Sequence, residues 1–315
     1  MKMNYESQFI KENTNKNEYE YVSNYKIEID EKRITRRVKL SNASRYIFSL
    51  SLVFALLVLI ILLYRIGVDS IGWLNIEFLT GKLSIFPEKA GIFSVIMGSV
   101  YLTLIVIPVT LILGVSTAIY LEEYASNGIV KRIINTNISN LASVPSVIFG
   151  LLGLTVFSRM LNLGSSILAG GLTLSLLVLP IIVVSSQEAI KAVPGFLKEA
   201  SLAMGATKWT TIRKVVLPVA IPGILTGSIL SISRAIGETA PLVVLGIPTL
   251  IMTTPTSIFD DFTALPIQIY YWTLDTVLTP EYANLAAATI VVLLGVLFIM
   301  NSAAIIIRNK FQKKF

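Results

Sequence analysis

Seven stretches of this chain run for roughly the length of a membrane-crossing helix without a single charge, and the charges collect between them. No charged residue falls between Arg45 and Arg65, and the same holds for 90–121, 133–158, 160–187, 215–233, 239–259 and 282–307. A helix rising about 1.5 Å per residue needs about 20 apolar residues to cross a hydrocarbon core. A large soluble protein with buried helices would explain one or two such stretches, but not seven. The pattern predicts a first span at 46–64, a second within 94–120 and a third within 138–157. The fourth falls within 167–186, the fifth within 218–237 and the sixth at 285–307. A cleaved signal peptide is the competing reading of 46–64, but the segment lies far from the start and no small-x-small site follows it. Residues 65–94 read as a loop with turn residues Gly67, Gly72, Gly81 and Pro87. The stretch 239–259 breaks the pattern because it holds Pro241, Pro248 and Pro255. It is expected to be a broken or re-entrant continuation of the fifth span, since such backbone persists in a membrane only inside protein or beside a water-filled path. The expected fold is an all-α membrane protein with six transmembrane helices.

Orientation follows from Lys and Arg. Residues 1–45 carry ten of them beside seven Asp and Glu, with no sustained apolar period. They read as a polar cytoplasmic tail with a short amphipathic piece near 33–40. With this tail inside, the inner segments also hold Lys131, Arg132, Lys191, Lys198, Lys208, Arg213, Lys214, Arg308, Lys310, Lys313 and Lys314, making 21. The outer loops hold only Arg65, Lys82, Lys89 and Arg159. Both termini are therefore expected in the cytoplasm. The formal charge of +7 is then an inside bias rather than a nucleic-acid surface. Only 14% of the residues are charged, where a soluble domain carries about a quarter. Cysteine and histidine are absent, which removes thiolate sites and the commonest base and metal ligand. No catalytic residue, metal or organic cofactor is expected.

The inner loop between the fourth and fifth spans, 187–217, reads as two short helices. Pro194 suits a first helical turn, and Leu197, Ala200, Ala203 and Met204 recur at helical spacing. Gly205 ends this helix, Thr207 caps a second one starting at Lys208, and Pro218 opens the next span. Such a hairpin either links two spans or docks in a groove of another protein. Glu199-Ala200-Ser201, Gly205 three residues on, then Val215 and Leu217-Pro218 resemble the EAA loop of ABC importer permeases, E-A-A-x3-G-x9-I-x-L-P. Ser201 stands for alanine and Val215 for isoleucine. The resemblance implies a type I permease fold whose coupling helix contacts an ATPase subunit through Glu199, Ala200 and Gly205. The chain has no G-x-x-x-x-G-K-[ST] motif, so ATP must be bound by a partner.

Arg234 and Glu238 lie four apart in an otherwise apolar region and share a helix face. A charge at the bilayer centre costs about 2.5–3.5 kcal/mol even on the insertion scale, so such groups face a cavity or a partner. The alternatives are a structural ion pair or an arginine reaching the interface. The surrounding R-A-I-G-E-T-A-P-L resembles the phosphate importer permeases, and Ala240-Pro241-Leu242 resembles their PstA type rather than PstC. Residues 265–272, LPIQIYYW, are similar to the PstA pattern L-P-x-Q-I-Y-x-W. The resemblance covers about 94–307 and leaves 1–45 without a counterpart. It divides the chain into the tail 1–45, a first helix and outer loop 46–93, a permease domain 94–307 and a cytoplasmic end 308–315. It implies four partners: the lipid bilayer, a PstC-type second permease, PstB-type ATPase subunits and a PstS-type extracytoplasmic phosphate-binding protein. Arginine suits this cargo because its planar fork pairs two phosphate oxygens and keeps its proton. Glu238 would hold that fork between substrates.

Three other functions compete. One is an ABC importer of another oxyanion. A self-contained secondary transporter or channel would need no ATPase loop. A membrane enzyme would lack His, Cys and any inward carboxylate cluster beyond Glu238. The Lys/Arg asymmetry is testable directly. Single cysteines at Ser201 and Ser257 in this cysteine-free chain should label from opposite sides of intact cells, and labelling of S201C from outside would refute the orientation.

Overall fold

The computed structural model describes residues 31–248, 250, 251 and 253–311. Among them helices dominate, and the only β-type pairing is an isolated bridge between Ser166 and Asp261. The chain forms two compact units, 1–62 and 63–315. The described part of the first belongs to α1, Glu31–Ser70, whose last turns fall in the second. The helix starts within the stretch expected as polar tail, because no Gly or Pro interrupts residues 31–66 and the hydroxyls of Ser44 and Ser51 bond back to the carbonyls of Leu40 and Ile47. The rest of that tail, 1–30, lies outside the described residues, as does 312–315 of the expected C-terminal end. Gly67, expected in a turn, is helical. The turn comes at Gly72, whose φ of +87° suits glycine.

The second unit continues with α2, Ile76–Thr80, and a 3₁₀ turn, Pro87–Lys89. Then come α3, Phe93–Ile119, prolonged by a π-helical turn Tyr120–Tyr124, and α4, Ile129–Leu141. The next helix, α5, Ser146–Gly153, is prolonged by π-helical Leu154–Met160, and α6 spans Ile167–Lys191. Two short helices follow, α7 at Gly195–Ala203 and α8 at Lys208–Thr211. The latter runs through π-helical Ile212–Val216 into α9, Leu217–Ile236. Last are α10, Ala240–Leu245, α11, Leu265–Asp275, and α12, Tyr282–Phe311. Among the described residues five helices are long and apolar enough to cross a membrane, and six if α4 and α5 form one bent span.

That bend corrects the third span. The stretch 138–157 is not straight, because the pair turns by 100° between Leu141 and Ser146. Pro145 excludes Val144 from helical geometry, and the Ser143 hydroxyl closes α4 on the Asn140 carbonyl. The fifth span is corrected too. Its helix begins at Lys208, with Pro218 inside it rather than opening it. The π-helical turn accommodates the proline: the Leu217 N–H reaches back to the Ile212 carbonyl, and the widened winding leaves room for a residue without a donor.

The core forms around α3 and α6, which approach through small residues as membrane helices do. Gly171 faces Ile105 and Gly114 faces Ile182; a Cβ added at either would lie 2.7 Å from an isoleucine methyl. The proline-rich stretch is irregular, as expected of it. After Gly246, at φ +81°, the chain leaves α10, and the described residues between it and α11 form no regular helix. Ile258 and Asp260 offer their carbonyls to the N–H groups of Leu168 and Ile167, at 2.9 and 3.2 Å. The open donors at the start of α6 are thus satisfied. Phe262, fully buried, fills the space beside Gly170 and Leu102. The LPIQIYYW stretch opens α11, where Trp272 packs beside Phe78 and Tyr282 and the Tyr271 hydroxyl donates to the Ile247 carbonyl.

The tightest glycine approach to another backbone atom among the described residues is Gly98 of α3 against this irregular stretch. A Cβ there would sit 2.1 Å from the Thr263 carbonyl oxygen, a backbone atom with no rotamer to escape into. Gly98→Ala should therefore destabilise the protein by about 1–3 kcal/mol. Gly295→Ala, whose Cβ meets nothing within 4 Å, should not. Thermal unfolding of the detergent-solubilised variants checks this, and equal melting would contradict the packing.

Candidate functional site

The loop between α6 and α9 is built by local rules. Pro194 stands just before α7 as its N-cap, its carbonyl accepting from the Leu197 N–H at 3.2 Å, and α7 ends in a Schellman turn. The Ala206 N–H bonds the Ser201 carbonyl at 3.2 Å and the Gly205 N–H bonds the Leu202 carbonyl at 2.9 Å, with Gly205 at φ +82°. Thr207 then caps α8 by accepting from the Thr210 N–H. The Ser201 and Thr211 hydroxyls meet at 2.9 Å across the turn, so the serine that replaces alanine in the EAA pattern ties α7 to the start of the next helix.

The two faces of α7 differ. Leu197 packs toward Ala118, Ile190 and Val216, and Lys198 points the same way. Phe196, Glu199, Ala200, Ala203 and Met204 are exposed, as is Trp209 on α8. Met204 is 88% exposed, so a large apolar side chain stands out beside the Gly205 turn with nothing among the described residues to cover it. Glu199, Ala200 and Gly205 are all exposed on this hairpin. Leu197, grouped with Ala200 by spacing, is half-buried where Ala200 is exposed, so the edge of the packed surface falls between them.

Beneath the hairpin lies a polar network absent from the sequence reading. Glu122 and Glu123, in the π-helical turn that ends α3, are only 9% and 10% exposed at their side chains. Glu122 accepts a 2.8 Å hydrogen bond from the Gln187 amide and lies 3.7 Å from Lys131 and 3.8 Å from Lys191. Glu123 pairs with Lys198. The Lys208 ammonium stands 5.1 Å from the centre of the Tyr124 ring, a cation–π distance. The available signal was a pair of acids at the very end of an apolar run, where burial demands cations.

The second predicted pair is far from the first. Arg234 lies in the last turn of α9, about 25 Å of helix beyond Leu217. Its Nε is 3.3 Å from Glu238 Oε1. The helix stops at Ile236, and Glu238 occupies the gap before α10. The guanidinium sits where the helix dipole favours a cation. Arg234 is 56% exposed at its side chain and Glu238 only 18%, so the carboxylate backs an arginine that faces out of the chain. The neighbouring Ser233 meets the Asn301 side chain of α12, a polar contact also missed in the sequence.

Among the described residues the fold resembles a bacterial ABC transporter involved in the import of the acidic polysaccharide alginate. The match covers 88% of this chain and 100% of that one at 15% identity and a TM-score of 0.60, a likeness of fold. A probable ABC transporter permease of Bacillus subtilis, YqgI, is 38% identical over 185 residues, 59% of this chain and 63% of its own length. The phosphate transport system permease PstA of Mycobacterium leprae is 35% identical over 274 residues, 83% of this chain and 87% of its own length. Residues 110–312, from the middle of α3 through the hairpin and Arg234 to the end of α12, match the binding-protein-dependent transport system inner membrane component family, and the chain belongs to that family of membrane permease subunits.

Proposed function

We propose that this chain is the PstA-type permease of an ATP-driven phosphate importer, with both termini and the α7–α8 hairpin in the cytoplasm. A PstC-type permease completes the path. PstB-type ATPase subunits receive the hairpin through Glu199, Ala200 and the Gly205 turn, and a PstS-type protein delivers phosphate from outside. The named relative from Mycobacterium leprae supports phosphate as cargo. The observation that carries the reading is the outward-facing guanidinium of Arg234, backed by Glu238 at a helix break. Lipid is a costly neighbour for such a group. A path shared with the second permease supplies water and an anion. The guanidinium fork can replace part of the hydration phosphate loses, and Glu238 reclaims it once the anion moves on.

The Gly205 turn gives a test of coupling. In Gly205→Val the residue keeps a left-handed conformation at a cost of about 1–2 kcal/mol, or the turn reopens and Met204 swings away from its present position. Membrane insertion should persist while ATPase binding or binding-protein-stimulated hydrolysis falls. Normal stimulated hydrolysis in a well-expressed complex would refute the role of this turn.

The Arg234–Glu238 pair separates a path from a strut. A purely structural pair loses about 3–5 kcal/mol when one partner is removed, and regains assembly and transport together when both are neutralised. For a path residue, Arg234→Gln with Glu238→Gln should assemble and still fail to import phosphate. Arg234→Lys keeps the charge without the fork and should transport partially at best. Phosphate uptake per assembled complex decides, and near-normal uptake in the double variant would leave Arg234 structural.

A further inference from the structure

The turn that ends α3 holds three consecutive side chains, and each fastens a different part of the molecule. Glu122 takes α4 through Lys131 and α6 through Lys191 and Gln187. Glu123 takes α7 through Lys198. Tyr124 takes α8 through Lys208. The backbone here is π-helical, with the Ala125 N–H reaching the Tyr120 carbonyl at 2.8 Å, a winding that recurs at functional sites. We propose that this turn, Tyr120–Tyr124, is the joint through which the docking hairpin drives the spanning helices, with the Glu123–Lys198 ion pair as its main fastening. The inference rests on the reading of the hairpin as the ATPase contact.

The geometry supports a joint rather than a loose surface pair. Lys198 immediately precedes Glu199 but is half-buried and tied to α3, whereas Glu199 is exposed, so one side of that helix is free to dock while its neighbouring side is fastened. Its side chain is 29% exposed and that of Glu123 10%, so solvent screens the pair far less than an exposed one. A displacement of α7 cannot spread into the loop alone, because Leu197 is packed into the body beside the pair. It must move the end of α3. That helix is in turn locked along α6 by the glycine approaches at Gly114 and Gly171. Glu122 grips α6 and α4 from the same turn, so the movement reaches three helices at once.

The test uses the complete complex in liposomes, with phosphate uptake and ATP hydrolysis measured on the same preparation. Glu123→Lys sets two cations against each other. In the assembled fraction, uptake per ATP hydrolysed should fall about tenfold, within the range of allosteric coupling energies. Glu123→Gln, which keeps the shape, should show a smaller fall in the same direction. The exchange of both charges, Glu123→Lys with Lys198→Glu, should restore uptake per ATP to within about twofold of the native value. The proposal is overturned if the assembled Glu123→Gln or Glu123→Lys complexes keep the native ratio, or if the exchanged pair assembles and stays uncoupled. Met204→Asp on the docking face distinguishes failure of the underlying reading. If it leaves ATPase binding intact, the hairpin is not the ATPase contact, whatever the Glu123 variants do.

Discussion

Hydrocarbon offers no partner to a backbone amide or a charge, and every irregular or ionised part of this chain is arranged around that fact. The described residues between Gly246 and Leu265 form no helix to pair their backbone, and Ile258 and Asp260 supply acceptors to the start of α6. The same element supplies Phe262 to the core. An unpaired segment and an unpaired helix end thus satisfy each other, and the fit is close enough that Gly98 has to be without a side chain where the two approach. The buried acids of the α3 turn obey the same constraint. Two carboxylates at the end of a span are tolerable only because Lys131, Lys191, Lys198 and Gln187 converge on them from three other helices.

Small residues at the helix contacts are the second consequence. Lipid tails are as apolar as leucine, so burial of large side chains gives little preference for helix over lipid. Close approach does the work, and here it is reciprocal: a glycine on α3 receives an isoleucine of α6, and a glycine on α6 receives an isoleucine of α3. Such an interface transmits a push without yielding, which suits a permease whose proposed substrate path and proposed docking surface sit on different parts of the fold.

Charge gaps located the spans because the cost of charge in lipid is a one-dimensional property of the chain. Gly205 and Thr207 were legible for the same reason, since a Schellman turn and a helix cap are written within a few residues. The i, i+4 spacing of Arg234 and Glu238 likewise reports a local contact, and the two side chains pair. Misreadings arose where a window of uncharged residues hides backbone chemistry. Pro145 bends 138–157, and the absence of any helix breaker carries α1 back to Glu31. The network under the hairpin escaped for a different reason. Lys131, Lys191, Lys198 and Lys208 entered the reading as a count of inside charges, and a count has no partners. Only the packing of α3, α4, α6, α7 and α8 brings them to Glu122, Glu123 and Tyr124.

The continuous helix from Lys208 to Ile236 joins the two halves of the proposed mechanism. The hairpin is fixed to one end of it by the Ser201–Thr211 contact, and Arg234 stands in its last turn at the other. A rigid helix conveys rotation and translation along its length. In the proposed function, a shift of the hairpin would also carry along this helix to Arg234, in parallel with the joint at the end of α3. The break at Gly237 lets Glu238 stay behind, because it belongs to the connection leading to α10, which packs on α5 through Pro241 and Gly150. Movement of α9 relative to α10 would lengthen or shorten the Arg234–Glu238 contact, now 3.3 Å, and so decide whether the fork is free to take an anion. On the proposed reading, an ion pair spanning this helix break would act as a gate. Its two members move with different elements, and its strength depends on how those elements are placed.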